Sequence, residues 1–514
     1  MEHDPPAAEP DPIGARRFPS AGSFWLTRFL ILRLLGFVYL FAFLSLALQV
    51  RPLLGHQGLL PADAFLGRAA EHYGSRGQGF LKLPSAFWLG ISDAALVGLA
   101  WMGVVLSAVV LAGFANALLM LFLWTLYMSF VHIGQDWYAY GWEIQLLETG
   151  FLAVFLCPLL DARPFPKRPA PTAVIWLLRW LIFRIMLGAG LIKMRGDACW
   201  RNLTCLDTFY ETQPIPGPLS RMFHLLPPWV HRGGVIFNHV TELGLPWLIP
   251  MGRILRRIAG AGMLAFQVSL ILSGNLSFLN WLTIVPILAC FDDALLARIL
   301  PRALVAAAGR AAARATPARA QRWISGVLVA AVALLSIAPV RNMISPAQRM
   351  NTSFGALDLV NTYGAFGSVE KERYEIVFEG TDARQLGSDA SWREYEFPAK
   401  PGDVHRRPPI VAPYQPRLDW ALWFAAMSTP ERYPWTLHLV SKLLQGDKAT
   451  LGLLATNPFP DAPPHFVRAW LYRYRFAPPG SGAYWERTLE GAWLPPLSAD
   501  DPRLLAFLRD YGWR

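Results

Sequence analysis

The sequence predicts an α-helical polytopic membrane protein of about nine transmembrane helices, followed by a C-terminal mixed α/β, sheet-containing extramembrane domain. Three observations carry that prediction. The 514 residues are 54% hydrophobic and only 16% charged, against ~25% charged in an average globular chain, and the mean hydropathy is +0.31. The apolar residues gather in runs of roughly 20, the length of helix that spans ~30 Å of hydrocarbon. Lys and Arg collect in alternate loops between those runs, as they do on the cytoplasmic side of membrane proteins.

Met1 to Ser23 is rich in Pro, Ala and acid and lacks a basic-then-apolar signal pattern, so residues 1–28 are expected to be a disordered cytoplasmic tail with no cleaved signal. Residues 29–340 are expected to form the transmembrane domain, with spans near 29–50, 94–113, 115–134, 143–160, 173–193, 233–251, 257–273, 276–292 and 323–340. Backbone polar groups cannot stay unpaired in lipid, so these runs must be helices. With the N-terminus inside, the inside segments carry Arg16, Arg17 and Arg28, then Arg163, Lys167 and Arg168, then Arg253, Arg256 and Arg257, then a series from Arg298 to Arg322. Outside loops 135–141 and 273–275 contain no Lys or Arg, while the longer outside loops 51–93 and 194–232 are mixed. This alternation, and not nucleic-acid binding, accounts for the 47 Lys and Arg against 36 Asp and Glu. Nine spans put the C-terminus on the far side of the membrane. The basic, Ala-rich segment 305–322 reads either as a helix on anionic headgroups or as a solvated connector.

Beyond Val340 the composition turns to Pro, charge and aromatics, and residues 341–514 are long enough for one extracytoplasmic domain. Tyr374 to Glu379 and Tyr395 to Phe397 alternate like half-buried strands, whereas Trp420 to Met427 and Tyr433 to Leu444 look helical.

Ionisable residues inside spans are expensive unless they face a partner or a cavity. Arg179 and Lys193 lie near span ends and could snorkel. Arg184 lies near mid-depth and needs a carboxylate, for which Glu143 and the deeper Glu148 are the candidates. An Arg184–Glu148 pair holding two helices together is one reading, and a substrate site is the other. Asn238, His239 and Glu242 share a helical neighbourhood, with His239 and Glu242 on one face; they could bond across helices or move a proton. His132 and Asp136 read in the same way. No zinc-type H-E-x-x-H spacing, nucleotide loop, G-x-S-x-G elbow or H-x4-D pattern occurs, so no catalytic residue, metal or cofactor is expected.

Cys199 and Cys205 are placed to form a short disulfide in the outside loop, where oxidising conditions allow one; Cys157 and Cys290 lie in spans. Asn202, Asn275 and Asn351 match the N-x-[ST] glycosylation pattern. The stretch from Leu206 to Pro216, followed by Leu225 to Trp229, is aromatic and interrupted by proline, and suits short interfacial helices.

Several stretches, in order along nearly the whole chain, carry a resemblance. They are Gly141-Trp-Glu-Ile-Gln-Leu-Leu-Glu-Thr-Gly-Phe151, Phe183 to Lys193, Tyr210-Glu-Thr-Gln-Pro-Ile-Pro216, Phe237-Asn-His-Val-Thr-Glu242, Ser273 to Asn280, Asn457-Pro-Phe-Pro460 and Arg468 to Phe476. In these the sequence resembles the lipase maturation factor family. The resemblance implies a multi-pass protein of the endoplasmic-reticulum membrane that helps secreted lipases fold and assemble, with no catalytic residues. High Ala, Arg and Pro usage departs from that pattern toward a bacterial host, whose corresponding membrane is the cytoplasmic one. The expected partners are the lipid bilayer and a secreted lipase or other exported client. The expected client contacts are Trp200, Phe209, Tyr210, Glu211, Gln213, Pro214 and Trp229, because aromatic residues dominate interface energetics. The rival is an intramembrane enzyme acting on lipid or a tethered protein, with Glu148, Arg184, His239 and Glu242 lining one site.

Overall fold

The computed structural model describes residues 18–20, 22–316 and 319–513. Most of the tail expected over 1–28, including Arg16 and Arg17, lies outside the described residues. Helix occupies each of the nine segments predicted as spans. Among the described residues, five helices are long and apolar enough to cross a membrane unaided, so a count of nine crossings is not confirmed. These five are α1 (Trp25–Leu54), α2 (Asp93–Ala112), α5 (Thr172–Arg195), α7 (Arg253–Ser273) and the stretch Arg319–Ile344. Between them lie the shorter α3 (Ala117–Ile133), α4 (Gly141–Leu156), α6 (Pro228–His239) and α8 (Leu279–Ile287).

Local chemistry sets the ends of these helices. Ser92 accepts from the Ala95 amide at the start of α2, and Asn116 accepts from Leu119 at the start of α3, each satisfying an amide the helix cannot pair itself. α1 and α2 touch closely because Gly36 and Gly103 carry no Cβ. One at Gly103 would lie 2.2 Å from the Phe43 ring, and one at Gly36 would lie 2.7 Å from the Leu111 backbone. Small residues give apolar helices their close packing where no hydrophobic effect drives association. The segment expected as one span over 233–251 is instead broken. α6 ends at His239 and runs into a π-turn over Val240–Gly244 and a 3-10 turn over Leu245–Leu248. Pro246 has no amide hydrogen to return to the Glu242 carbonyl, so a regular helix cannot continue there.

The first part of the basic segment 305–322 lies in a helix, α9 (Arg302–Ala313). α10 (Arg319–Leu335) and a short α11 (Ile337–Ile344) then lead to the sheet-containing region. A two-residue ladder pairs β1 (Thr352–Ser353) with β2 (Asn361–Thr362). The main sheet is antiparallel in the order β4-β3-β5-β6, with β3 at Arg373–Thr381, β4 at Arg393–Glu394, β5 at Phe466–Phe476 and β6 at Trp485–Ser498. Val377 pairs with Trp470 and Phe378 with Ala469. α12 (Arg417–Ala426) packs on β3 and α13 (Trp435–Leu444) on β5. The strand expected over 395–397 is reduced to a single bridge from Glu396 to Thr456, just past β4.

The sheet region is fastened to the first half of the chain. His438 on α13 donates Nδ1–H to the Leu59 carbonyl at 2.9 Å, and its ring stacks on Trp513 at 4.8 Å. Burial pushes this imidazole down to about 4, opposed by the hydrogen bond to Leu59, assisted by the Lys442 charge and opposed more weakly by Asp447. A folded value below the ~6.5 of a free imidazole means that its contribution is complete above ~6.5 and is lost as pH falls toward 4. Between pH 7 and 4 this group is expected to remove on the order of 3 kcal/mol of stability. Burial raises Asp419 to about 6, which acts in the opposite sense, so the His438→Phe variant isolates the imidazole. In thermal melts across that pH range the variant should lose less stability than the parent; equal slopes would show that His438 is not the titrating group.

Candidate functional site

The loop 194–232 folds into three short helices, Ala198–Arg201, Leu206–Thr212 and Ser220–His224, held by its own side chains. Cys199 and Cys205 form a disulfide with Cα atoms 4.7 Å apart. Trp200 donates its indole N–H to the Phe366 carbonyl at 2.8 Å, and the Phe209 ring meets Phe366 edge-on at 4.9 Å. Tyr210 stacks with Phe223, and Asp207 bonds His231 at 2.9 Å. Gln213 donates to the Ser273 carbonyl at 2.9 Å and to the Ser220 hydroxyl at 3.0 Å. Arg373 on β3 donates to the carbonyls of Glu211, Gln213 and Pro214, and the Glu211 carboxylate accepts the Phe476 amide at 2.7 Å.

Of the residues expected to meet a client, Glu211 and Gln213 are therefore buried structural groups, because their polar atoms hold the loop to β3 and α7. Trp200 and Phe209 are also buried, at 3% and 4% exposure, whereas Trp229 stands 73% exposed. Met222 and Leu225 are more than half exposed beside it in sequence.

Beneath this loop lies a cavity of about 980 Å³, walled by α5, α6, α7, α8 and the segment 363–368. Trp200, Phe209, Tyr210, Pro214 and Trp229 all line it, as do Phe237 and Phe266. Its polar residues include Lys193 from α5, Asn238 from α6 and Glu242 from the π-turn. Lys193 Nζ lies 2.7 Å from Glu242 Oε1 and 3.4 Å from Asn238 Oδ1, and 4.8 Å from the Trp200 ring centre. Glu242 is 3% exposed, and its Oε2 accepts no hydrogen bond.

This cluster departs from two expectations. Lys193 does not snorkel to the interface; it is 5% exposed and spent on Glu242. His239 and Glu242 do not act as a pair. The π-turn that begins at Val240 inserts an extra residue per turn, so Glu242 swings to Lys193 while His239 donates Nε2–H to the Trp200 carbonyl at 3.0 Å.

The other intramembrane charges form separate clusters. Arg184 Nη2 bonds Glu148 Oε1 directly, and Arg184 Nη1 donates to the Asn361 carbonyl at 2.7 Å. The second Glu148 oxygen accepts from the Tyr363 hydroxyl at 2.7 Å and the Asn361 amide at 3.0 Å. Glu143 accepts from Arg417 at 2.9 Å, from the Trp142 indole at 3.1 Å and from the Tyr127 hydroxyl. Arg179, expected to snorkel, is buried; it donates to the Ala289 carbonyl at 2.8 Å and lies over Trp176. His132 meets Asp358 at 3.2 Å and not Asp136, since its Nδ1 is turned to the Pro84 carbonyl. Glu148, Arg184, His239 and Glu242 thus do not line one site. Sequence reasoning missed Lys193, Asn361, Tyr363 and Arg417 as members of these clusters.

Asn202 and Asn351 are exposed. Asn275 is buried at 4%, with its side chain bonded to the Pro216 and Pro409 carbonyls and to the Val411 and Ala412 amides, so it cannot carry a glycan in this fold. Among the described residues no group of three or more His, Cys, Asp or Glu side chains could hold a metal ion.

Residues 26–298 match the lipase maturation factor transmembrane domain, and residues 359–495 match the lipase maturation factor C-terminal domain. The chain is 47% identical to lipase maturation factor 1 of Bos taurus, over 97% of this chain and 94% of that protein. It is 46% identical to lipase maturation factor 1 of Homo sapiens, over 99% and 94%, and 30% identical to lipase maturation factor 2 of Homo sapiens, over 95% and 85%. No solved structure matches the chain significantly.

Proposed function

The chain belongs to the lipase maturation factor family, and from that premise we propose that it is a membrane-embedded, chaperone-like factor that assists the folding and assembly of a secreted lipase. It acts by binding and not by catalysis. Residues 29–340 thread the membrane nine times from a cytoplasmic N-terminus, and residues 341–514 work on the opposite face, a reading supported by the alternation of basic loops. The host membrane is that of the endoplasmic reticulum, or the cytoplasmic membrane in a bacterium.

The observation that carries the reading is the apolar rim at Met222, Leu225 and Trp229, all more than half exposed. This segment is too short and too interrupted by proline to be a span, and it lies in loop 194–232 on the face assigned to the client. Exposed apolar residues of this kind mark partner surfaces when they cluster, and an aromatic anchor dominates such contacts. Deleting the whole loop is an unsuitable test, because residues 211–214 hold Arg373. Substituting the rim leaves the carbonyls that hold Arg373 in place. The triple variant Met222→Asp, Leu225→Asp, Trp229→Ala, co-expressed with a secreted dimeric lipase, should lower secreted lipase activity at least fivefold while its own level and melting temperature stay unchanged. Full lipase maturation by that variant would end the proposal.

A further inference from the structure

We propose that the cavity beneath the loop is a binding site for a neutral, hydroxyl-bearing lipid such as a monoacylglycerol, with its acyl chain against the aromatic wall and its head at the Lys193–Asn238–Glu242 cluster. Three observations point there. The volume of about 980 Å³ is at the upper end of the ~300–1,000 Å³ that small-molecule sites occupy. Its lining is mainly aromatic and aliphatic, with a few polar groups from neighbouring elements, the arrangement that orients an amphiphile.

The second observation is chemical. Lys193 and Glu242 form a neutral pair, so a carboxylate head would face Glu242 and an amine head would face Lys193, each with an uncompensated repulsion. A hydroxyl both donates and accepts. It can supply the hydrogen that buried Glu242 Oε2 lacks, a deficit that costs free energy until it is met, and it can accept from the ammonium, which holds three hydrogens and has two acceptors within reach.

The third observation is the wall. α6 forms one wall of the cavity; Ile236 and Val240, which do not line it, are half exposed on the other side of the helix. Gly233 on this helix lines the cavity, and an added Cβ there would touch nothing within 4 Å. Past His239 the wall loses regular helix in the π-turn, and irregular backbone at membrane depth persists where it is buried or lines a cavity. A client polypeptide is a poorer fit, because an extended strand would bring backbone amides and carbonyls against an apolar lining that leaves them unpaired.

The test is equilibrium binding of tritiated 1-monooleoylglycerol, methyl oleate and oleate to the detergent-solubilised full chain. Saturable uptake of one monooleoylglycerol per chain is expected, with methyl oleate, which has no hydrogen to donate, and oleate each at least tenfold weaker. Gly233→Leu, which places a side chain at open space in the wall, should weaken monooleoylglycerol uptake at least tenfold with an unchanged melting temperature. A photoreactive monoacylglycerol should label peptides within 223–242 and 266–273 in the unmodified protein, a readout independent of any variant. No saturable uptake, equal affinity for methyl oleate or tighter oleate, or labelling confined to other spans would each overturn the assignment. So would displacement of the lipid by an apolar peptide taken from a lipase, which would make the cavity a polypeptide site. Lipase maturation is not among these readouts, so failure here leaves the chaperone reading standing, and the reverse.

Discussion

Replacing Arg184 by methionine is expected to lower the unfolding free energy by about 3–5 kcal/mol, the loss that follows when one partner of a buried ion pair is removed and the other stays charged. Arg184 and Glu148 are 2% and 1% exposed. Without the guanidinium, Glu148 keeps only the Tyr363 hydroxyl and the Asn361 donors, which are neutral. The Asn361 carbonyl also loses its donor. The double variant Arg184→Met, Glu148→Met removes both charges and should recover much of the loss, since a buried pair exchanged for apolar side chains of similar size is often neutral or stabilising. Melting temperatures in detergent measure both. A single variant as stable as the parent would show that the pair carries no weight.

Arg417→Met is the companion case, at the junction between the helices and the sheet region. Arg417 is fully buried. It donates to the Trp137 carbonyl at 2.5 Å and to Glu143 at 2.9 Å, with its guanidinium carbon 3.5 Å from the centre of the Tyr138 ring. Its loss leaves Glu143 with two neutral donors and opens a contact on which α12 sits. We expect a similar cost of about 3–5 kcal/mol. The effect should be local in a way that the Arg184 effect is not: limited proteolysis should find new cleavage between residues 401 and 416 while α1 to α5 stay protected. Simultaneous loss of protection everywhere would mean that Arg417 holds the whole protein and not the junction.

The two cases also mark what could be read from the chain. The Arg184–Glu148 pair was legible because both residues stand near the middle of consecutive apolar runs, where neither charge can reach water. The helices were legible for the same reason, and β3 from its alternation. β5 carried a comparable signal, since Arg468, Trp470, Tyr472 and Tyr474 alternate with Ala469, Leu471, Arg473 and Arg475 across its faces, but basic residues on both faces hid the buried side. The His239–Glu242 pairing failed on Pro246, whose effect four residues upstream turns the helix into a π-turn. Asn361, Tyr363 and Arg417 gave no local sign at all. Their partners lie 213 to 274 residues away, and nothing in a Tyr or Arg in a polar segment says that it is destined for the foot of a membrane helix. Lys193 looked free to reach the interface because the Glu that captures it is delivered by a broken segment.

Glu143 and Glu148 enter the membrane helices early in synthesis, whereas Asn361, Tyr363 and Arg417 emerge from the ribosome only after every apolar segment has been made. The finished charge arrangement therefore cannot exist while the helices are being inserted. Until translation passes residue 417, the Glu143 carboxylate waits for its cation, and shortened products that stop before that point lack the guanidinium that matches it.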